Sequence, residues 1–300
     1  MRLLVFGSNN PTGSSFLAIS RNSLVSVLGR SAPRDWDGEF IYCDLSELDL
    51  PKIENFEGVL VSFAPIWLFA SFIEHLFHDY PDYMKDIRGI IACSSSSFIT
   101  KRFAFNEYDK QLAQKLSTAH EKIAYVCKNL NIDLQILAPT LVYGKVKFYS
   151  DKNLSKIIKL MRAFPFIFLP QNTGFRQPIH ANQLALVAYT QAKKMVNRQW
   201  SPNEPLILPL GGDSIIDYKE MIVRVINSLD QKDKASRCRI ICVPNQLYFL
   251  IAFPFLFFSP KFFEALMRIK CNLSHFTKAH EILNQESQEF PLLPLANEDE

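Results

Sequence analysis

Leu3-Leu4-Val5-Phe6-Gly7-Ser8-Asn9-Asn10-Pro11-Thr12-Gly13 is an apolar run that ends in a glycine-bracketed turn, and Phe16-Leu17-Ala18-Ile19 follows it. This order reads as buried strand, tight turn, helix. Gly7 lets the chain turn sharply, and Gly13 lets the helix pack close to the strand. Backbone amides of Asn9, Asn10 and Thr12 at the helix start are placed to meet an anion, as where a doubly wound sheet holds a dinucleotide pyrophosphate. Asn10 stands where a second glycine is usual, and asparagine tolerates the left-handed conformation better than most residues. The same residues also suit a strand–turn–helix without a ligand.

Ser23-Leu24-Val25-Ser26-Val27-Leu28 is the next apolar strand, and it ends in Gly29-Arg30. In a dinucleotide fold, an acidic residue at this strand end bonds the 2′-hydroxyl of NAD, whereas an arginine suits the 2′-phosphate of NADP. Arg30 therefore points to NADP, with NAD as the alternative. Strand and helix signals then alternate, as a parallel α/β sheet requires. Strands are expected at Glu39–Leu45, Gly58–Pro65, Ile87–Cys93 and Asp133–Leu137, with a helix at Glu107–Leu130. Small residues at the end of the fourth strand, Ala64 among them, leave room for a cofactor. The fold class is α/β, a Rossmann-like doubly wound parallel sheet.

The chain has 300 residues, enough for one large core and part of a second. Its 33 Lys and Arg nearly balance 30 Asp and Glu, so the charge calls for no nucleic-acid partner. Six cysteines form no C-x-x-C pair, and there is no leader with a cleavage site, so a cytoplasmic protein with reduced thiols is expected. The histidines show no ligand spacing with thiols or carboxylates, and no metal is expected. Residues 247–258 form an apolar stretch broken by Pro254, too short to cross a bilayer. We expect it to tuck mostly against Phe262, Phe263, Leu266 and Met267, with an interfacial membrane contact as the alternative.

The turn, Asp44-Leu45, Ser94-Ser95-Ser96 and Pro139-Thr140-Leu141-Val142-Tyr143-Gly144 together resemble the extended and atypical short-chain dehydrogenase/reductase superfamily. The similarity is greatest to its NAD-dependent epimerase/dehydratase, or nucleoside-diphosphate-sugar epimerase, branch. It continues through Asp151-Lys152-Asn153-Leu154, Gly174–Ala181 and Leu210-Gly211-Gly212 to Arg268–Leu273. The resemblance implies a Rossmann domain over residues 1–150 and a smaller C-terminal substrate lobe over 151–296, with return segments packing on the Rossmann domain. It also implies cofactor contacts at Asp44, Leu45, Ser94, Pro139, Thr140 and Leu141. Asn153, Arg176 and His180 become candidates for binding a small sugar-nucleotide-like substrate.

That superfamily uses a Ser or Thr hydroxyl with a Tyr-x-x-x-Lys pair as acid and base. Ser96 fits the hydroxyl role, but Ala113 and Ser117 stand where the Tyr and Lys belong. Tyr143 to Lys147 and Tyr189 to Lys193 match the pattern in the wrong elements. The branch suggests a serine-rich segment followed by a lysine instead, which makes Lys101 and Tyr108 the substitute candidates. Two functions follow. One is an NAD(P)-dependent epimerase, dehydratase or reductase acting on a nucleotide-linked or lipid-linked sugar. The other is a non-catalytic dinucleotide-binding scaffold or sensor. Neither reading specifies an oligomeric state.

Overall fold

A computed structural model describes residues 2–34, 36–48, 50–51, 56–201 and 203–295. Six strands alternate with helices through the first half: β1 Arg2–Phe6, β2 Leu24–Gly29, β3 Glu39–Tyr42, β4 Glu57–Ser62, β5 Asp86–Cys93 and β6 Asp133–Pro139. Two later strands, Ile207–Gly211 and Thr277–Lys278, extend the sheet beyond β6 to eight. Every pairing is parallel, in the order β3-β2-β1-β4-β5-β6 and then the two late strands.

Burial on both faces explains the continuous apolar runs of β1, β2, β4, β5 and β6, whereas the edge strand β3 is only half-buried. Along β1, Leu4 and Phe6 point into one cluster with α2 (Ile66–Asp79) and α4 (Glu107–Leu130). Leu3 and Val5 point into the other, with α1 (Pro11–Ile19) and α6 (Ala181–Val196). The second half of the chain thus returns to cover the sheet. Helix α4 has the bounds read from the sequence. Asn106 caps its start by accepting the Asp109 amide at 2.9 Å, and Asn131 ends it in the left-handed region.

Two local expectations are corrected. Asn10 is extended (φ −153°), not left-handed: its Oδ1 accepts the Gly13 amide at 3.0 Å and its Nδ2 donates to the Gly7 carbonyl at 2.7 Å. The residue caps α1 rather than substituting for glycine's freedom. The third strand stops at Tyr42, not Leu45, because Asp44 turns the chain by accepting the Ser46 amide at 2.9 Å and hydroxyl at 2.6 Å.

A third cluster forms the C-terminal lobe, where α5 (Leu154–Ala163) meets α7 (Tyr218–Ser228) through Leu154, Ile158, Met161, Met221, Ile222 and Val225. Arg162 braces it from 2.8 Å against Asp233. The apolar stretch near residue 250 departs from expectation. It forms α8 (Asn245–Ala252) and α9 (Phe255–Phe258), divided at Pro254 as the imino ring requires, and α10 (Pro260–Met267) follows. Inner contacts exist, such as Phe255 on Phe262 at 4.9 Å between ring centroids. Yet only Tyr248 and Ala252 are buried in these helices, and none of the three hydrophobic clusters includes a described residue from 245–273. Three short helices with apolar residues on all sides cannot hide every side chain against one lobe surface.

The Asn10 cap gives the first expected outcome. Asn10→Ala should destabilise the protein by about 1–2 kcal/mol in chemical denaturation, the range for losing a helix N-cap. A change below a few tenths would show that the turn does not depend on this side chain.

Candidate functional site

The carboxyl ends of all these strands lie on one edge of the sheet, and the strand order reverses at β1, between β2 and β4. Ligands of doubly wound sheets bind outside such a switch point. A cleft of about 450 Å³ opens there, lined by the Gly7–Asn10 turn, Leu28–Ser31 after β2, Cys43–Ser46 after β3, and Phe63–Pro65 after β4. Gly7 is required: its φ is +66°, and a Cβ there would overlap the backbone of Ala64. Gly13 is equally confined, since a Cβ would run into the Ser8 backbone.

Arg30 and Asp44 face each other across this cleft, and both Ser46 and Arg30 hold the Asp44 carboxyl below the usual carboxylate range, Ser46 most strongly. Leu45 and Ala64 line it as expected. Thr12 is buried in the first turn of α1 and does not line it. Lys152 does, and the sequence reading passed over it although it lies within the Asp151–Leu154 stretch. Asp151 fixes this loop by accepting the amides of Asn153 at 2.7 Å and Leu154 at 2.6 Å.

A second cleft, about 420 Å³, lies on the other side of that loop. Asn153, Lys156 and Ile157 form one wall, and Ser95–Ser97, Thr100, Lys101, Thr140, Leu141, Arg176, Gln177, Tyr218, Arg268 and Leu273 complete it. Four cations line it and, among the described residues, no carboxylate does. The cleft is built for an anion. Lys156 lies in the first turn of α5, four residues after Lys152 of the preceding loop, a spacing readable in the sequence; Tyr218 and Arg268 are brought in only by the fold.

Within the serine run the hydroxyls have separate roles. Ser94 Oγ lies 2.6 Å from Nε2 of His120 on α4, and Ser95 bonds Ser97 at 3.1 Å. Among the described residues, the Ser96 hydroxyl has no protein partner, and Ser96 lines the second cleft. Pro139 positions this loop by accepting the Ser96 amide at 2.8 Å. Lys101 also lines the cleft, but its Nζ is held by Asp109 at 2.6 Å. Burial opposes ionisation of Asp109, and its bonds to Lys101 and Asn106 outweigh that and keep it a carboxylate. Paired in this way, the Lys101 side chain is held against Asp109 on α4.

Other candidates are not brought together. Tyr108 is 58% exposed, lines neither cleft, and carries the Lys261 ammonium 3.5 Å above its ring. Ala113 and Ser117 share the face of α4 that holds Asp109 and His120, beneath the Ser94–Lys101 loop, and neither lines the cleft. Helix α3 (Ser97–Thr100) and the Phe98 ring, 4.9 Å from His120, cover that face. Tyr143 is buried with its hydroxyl accepting the Leu292 amide at 3.0 Å, and Tyr189 packs on Phe16. Both lie outside the clefts.

Arg176 donates to the carbonyls of Phe175, Arg268 and Cys271 at 2.8, 2.6 and 2.5 Å, while its guanidinium stacks on Tyr218 at 5.2 Å. It pins the 268–271 segment to the lobe and still presents one edge to the second cleft. His180 lines neither cleft: its Nδ1 accepts the Asn182 amide at 3.2 Å, capping α6.

No protein-family model matches the chain, and no curated protein sequence does. Solved structures do match. UDP-N-acetylglucosamine 4-epimerase from Bacillus cereus superposes with a TM-score of 0.59 at 16% identity, over 81% of this chain and 88% of that one. An epimerase from the methanogen Methanothermobacter thermautotrophicus gives 0.63 at 12%, over 96% and 88%. MoeE5, in complex with UDP-glucose and NAD, gives 0.54 at 13%, over 96% and 94%. The chain shares their fold.

Burial lowers the pKa of both His120 and His180 to about 4, so folding keeps them neutral. The unfolded chain takes up those protons near pH 6.5. Stability should therefore be flat above that pH and fall as pH drops from 6.5 toward 4. Denaturation midpoints between pH 7.5 and about 4.5 read this directly, a span set by the two histidine pKa values. His120→Asn and His180→Asn should each flatten the slope, and an unchanged slope in both would count against buried neutral imidazoles.

Proposed function

We propose that this chain is an NAD(P)-dependent enzyme of the epimerase, dehydratase or reductase type, acting on a nucleotide-linked or lipid-linked sugar. The carrying observation is the pair of clefts at the carboxyl edge of the sheet. One is shaped by a bare glycine turn, and the other is walled by four cations and the free Ser96 hydroxyl. The residues present fit a dinucleotide: Gly7 and Gly13 clear the turn, the start of α1 aims its positive end at the cleft, and Lys152 adds a charge beside it. A bound nicotinamide would supply reversible hydride transfer. The chain's own residues do the rest. Lys156, Arg176 and Arg268 neutralise the phosphates of the ligand, and Asn153 lies beside them in the wall. Ser96 and Thr140 lie at the strand ends where a sugar hydroxyl would be held, although Thr140 already donates to the Gln177 carbonyl. Tyr218 is the one phenol lining this cleft, and burial raises its pKa against the pull of Arg176, so it is a proton donor and not a base.

The second reading is a dinucleotide-binding scaffold or sensor without turnover. It is favoured by Ala113 and Ser117 on α4, by the Lys101–Asp109 pair, and by Tyr108 lying outside the clefts. Titration of the reduced cofactor by fluorescence, followed by a turnover screen against sugar nucleotides, separates the two. Turnover abolished by Ser96→Ala supports the enzyme. Tight cofactor binding with no turnover on any sugar donor supports the scaffold. No cofactor binding refutes both.

For the cofactor itself we expect NADP(H) to bind more tightly than NAD(H). This reading is supported by Arg30, which lines the first cleft just after β2, and by Asp44, whose Oδ1 already holds Ser46. One charge-assisted contact corresponds to roughly ten- to hundredfold in affinity. Arg30→Ala should close that gap in calorimetry, and equal wild-type affinities would remove the case for NADP.

A further inference from the structure

Helices α8–α10 carry an apolar surface that no cluster of the fold uses. Leu250 is 65% exposed, Phe257 73%, Phe258 86% and Phe262 47%. A second apolar point lies on the loop between α3 and α4, where Phe103 is 87% exposed and Phe105 101%. The two belong to one face. Asn106, next to Phe105, bonds Glu264 of α10 through its side chain and, at 3.1 Å, its amide, and Lys261 of α10 sits over the Tyr108 ring. Proteins that stay monomeric in water rarely expose so much contiguous apolar surface.

The charges around this face decide what covers it. Arg102, Lys110, Lys261 and Lys270 are exposed on its elements, and Arg102 lies 5.6 Å from the centre of the Phe103 ring. Of the acids there, Asp109 and Glu264 are turned inward onto Lys101, Arg268 and Asn106, which leaves Glu107 as the outward carboxylate. Aromatic side chains at the tip with cations beside them, on helices divided by Pro254 and Pro260, have the composition of an interfacial anchor. No described helix is long and apolar enough to cross a membrane. We propose that this face docks on the surface of an anionic lipid bilayer, with Phe257, Phe258, Phe103 and Phe105 entering the head-group boundary. Arg268 and Thr100 belong to the segments next to this face and also line the second cleft. Docking would bring lipid-borne diphosphates near that cleft and so favours the lipid-linked ligand. That consequence rests on the function proposed above, whereas the docking does not.

Flotation of the full chain with phosphatidylcholine vesicles, with and without phosphatidylglycerol, tests the docking. The protein should float with the anionic vesicles. Phe257→Ser/Phe258→Ser should reduce the bound fraction at least tenfold with an unchanged thermal melt, since both rings are exposed. Phe103→Ser/Phe105→Ser gives the same reading from the other element should the first variant unfold. Lys261→Ala/Lys270→Ala should weaken anionic-vesicle binding about 25-fold, as each basic residue near such a surface contributes about fivefold. The proposal is overturned if wild type stays unbound with both vesicle types, or if the serine variants float as well as wild type. It is equally overturned if sedimentation shows a dimer that the serine variants dissociate and that does not bind vesicles, which would assign the face to a second copy. Cofactor titration on the same samples reads the proposed function separately, so either can fail alone.

Discussion

At the ends of β1 and β4 two backbones approach so closely that even one methyl group on Gly7 would overlap Ala64. This contact leaves the turn without a side chain at the point where the sheet changes direction. It also fixes what Asn10 must do. With the chain turned this sharply, the exposed carbonyl of Gly7 and amide of Gly13 need partners, and the Asn10 carboxamide supplies both. One of the helix-start amides that a pyrophosphate would otherwise use is thereby satisfied internally. Lys152 stands in the same cleft, so the charge of an anion there is met by a side chain as well as by the helix end.

How much of this was legible in the sequence follows from which forces are local. Strands β1, β2, β4, β5 and β6 and helix α4 were readable because burial on both faces demands continuous apolar runs, and because Asn106 and Asn131 mark the ends of α4 in residue type. Gly7, Arg30, Leu45 and Ser96 follow strand ends in the sequence, and each lines one of the two clefts. What could not be read is decided by tertiary contacts. Nothing in the segment around Asp109 shows that it will meet Lys101. Nothing near Tyr108 shows that it will lie beside α10 and not in the cleft. Residues 247–258 look like core by composition alone, yet the lobe core is completed by α5, α7 and Phe290 without them.

The second cleft shows how the two halves of the chain make one site. Ser96 comes from the sheet edge, Asn153 and Lys156 from the lobe, and Arg268 from the far end of the chain. Arg176 joins them by donating to carbonyls of Arg268 and Cys271, and a buried guanidinium needs such acceptors to offset its desolvation. Its role is therefore positional as well as electrostatic. Removing it would take the guanidinium from the Cys271 carbonyl and leave the Phe175 and Arg268 carbonyls with only the Leu273 and Cys271 amides, which loosens the segment that supplies Arg268.

The same segment joins the cleft to the apolar face. Arg268 donates to the Thr100 carbonyl at 2.7 Å and sits 3.7 Å from Asp109 and 3.8 Å from Glu264. Asp109 in turn holds Lys101, which lines the cleft, and Glu264 belongs to α10, which carries the exposed rings. Displacement of α10 would therefore act on Lys101 and Arg268 through bonds that are already formed. The face that carries the exposed rings and the second cleft are thus connected by a single ionic network, so a shift of the first has a direct physical path to the side chains that line the second.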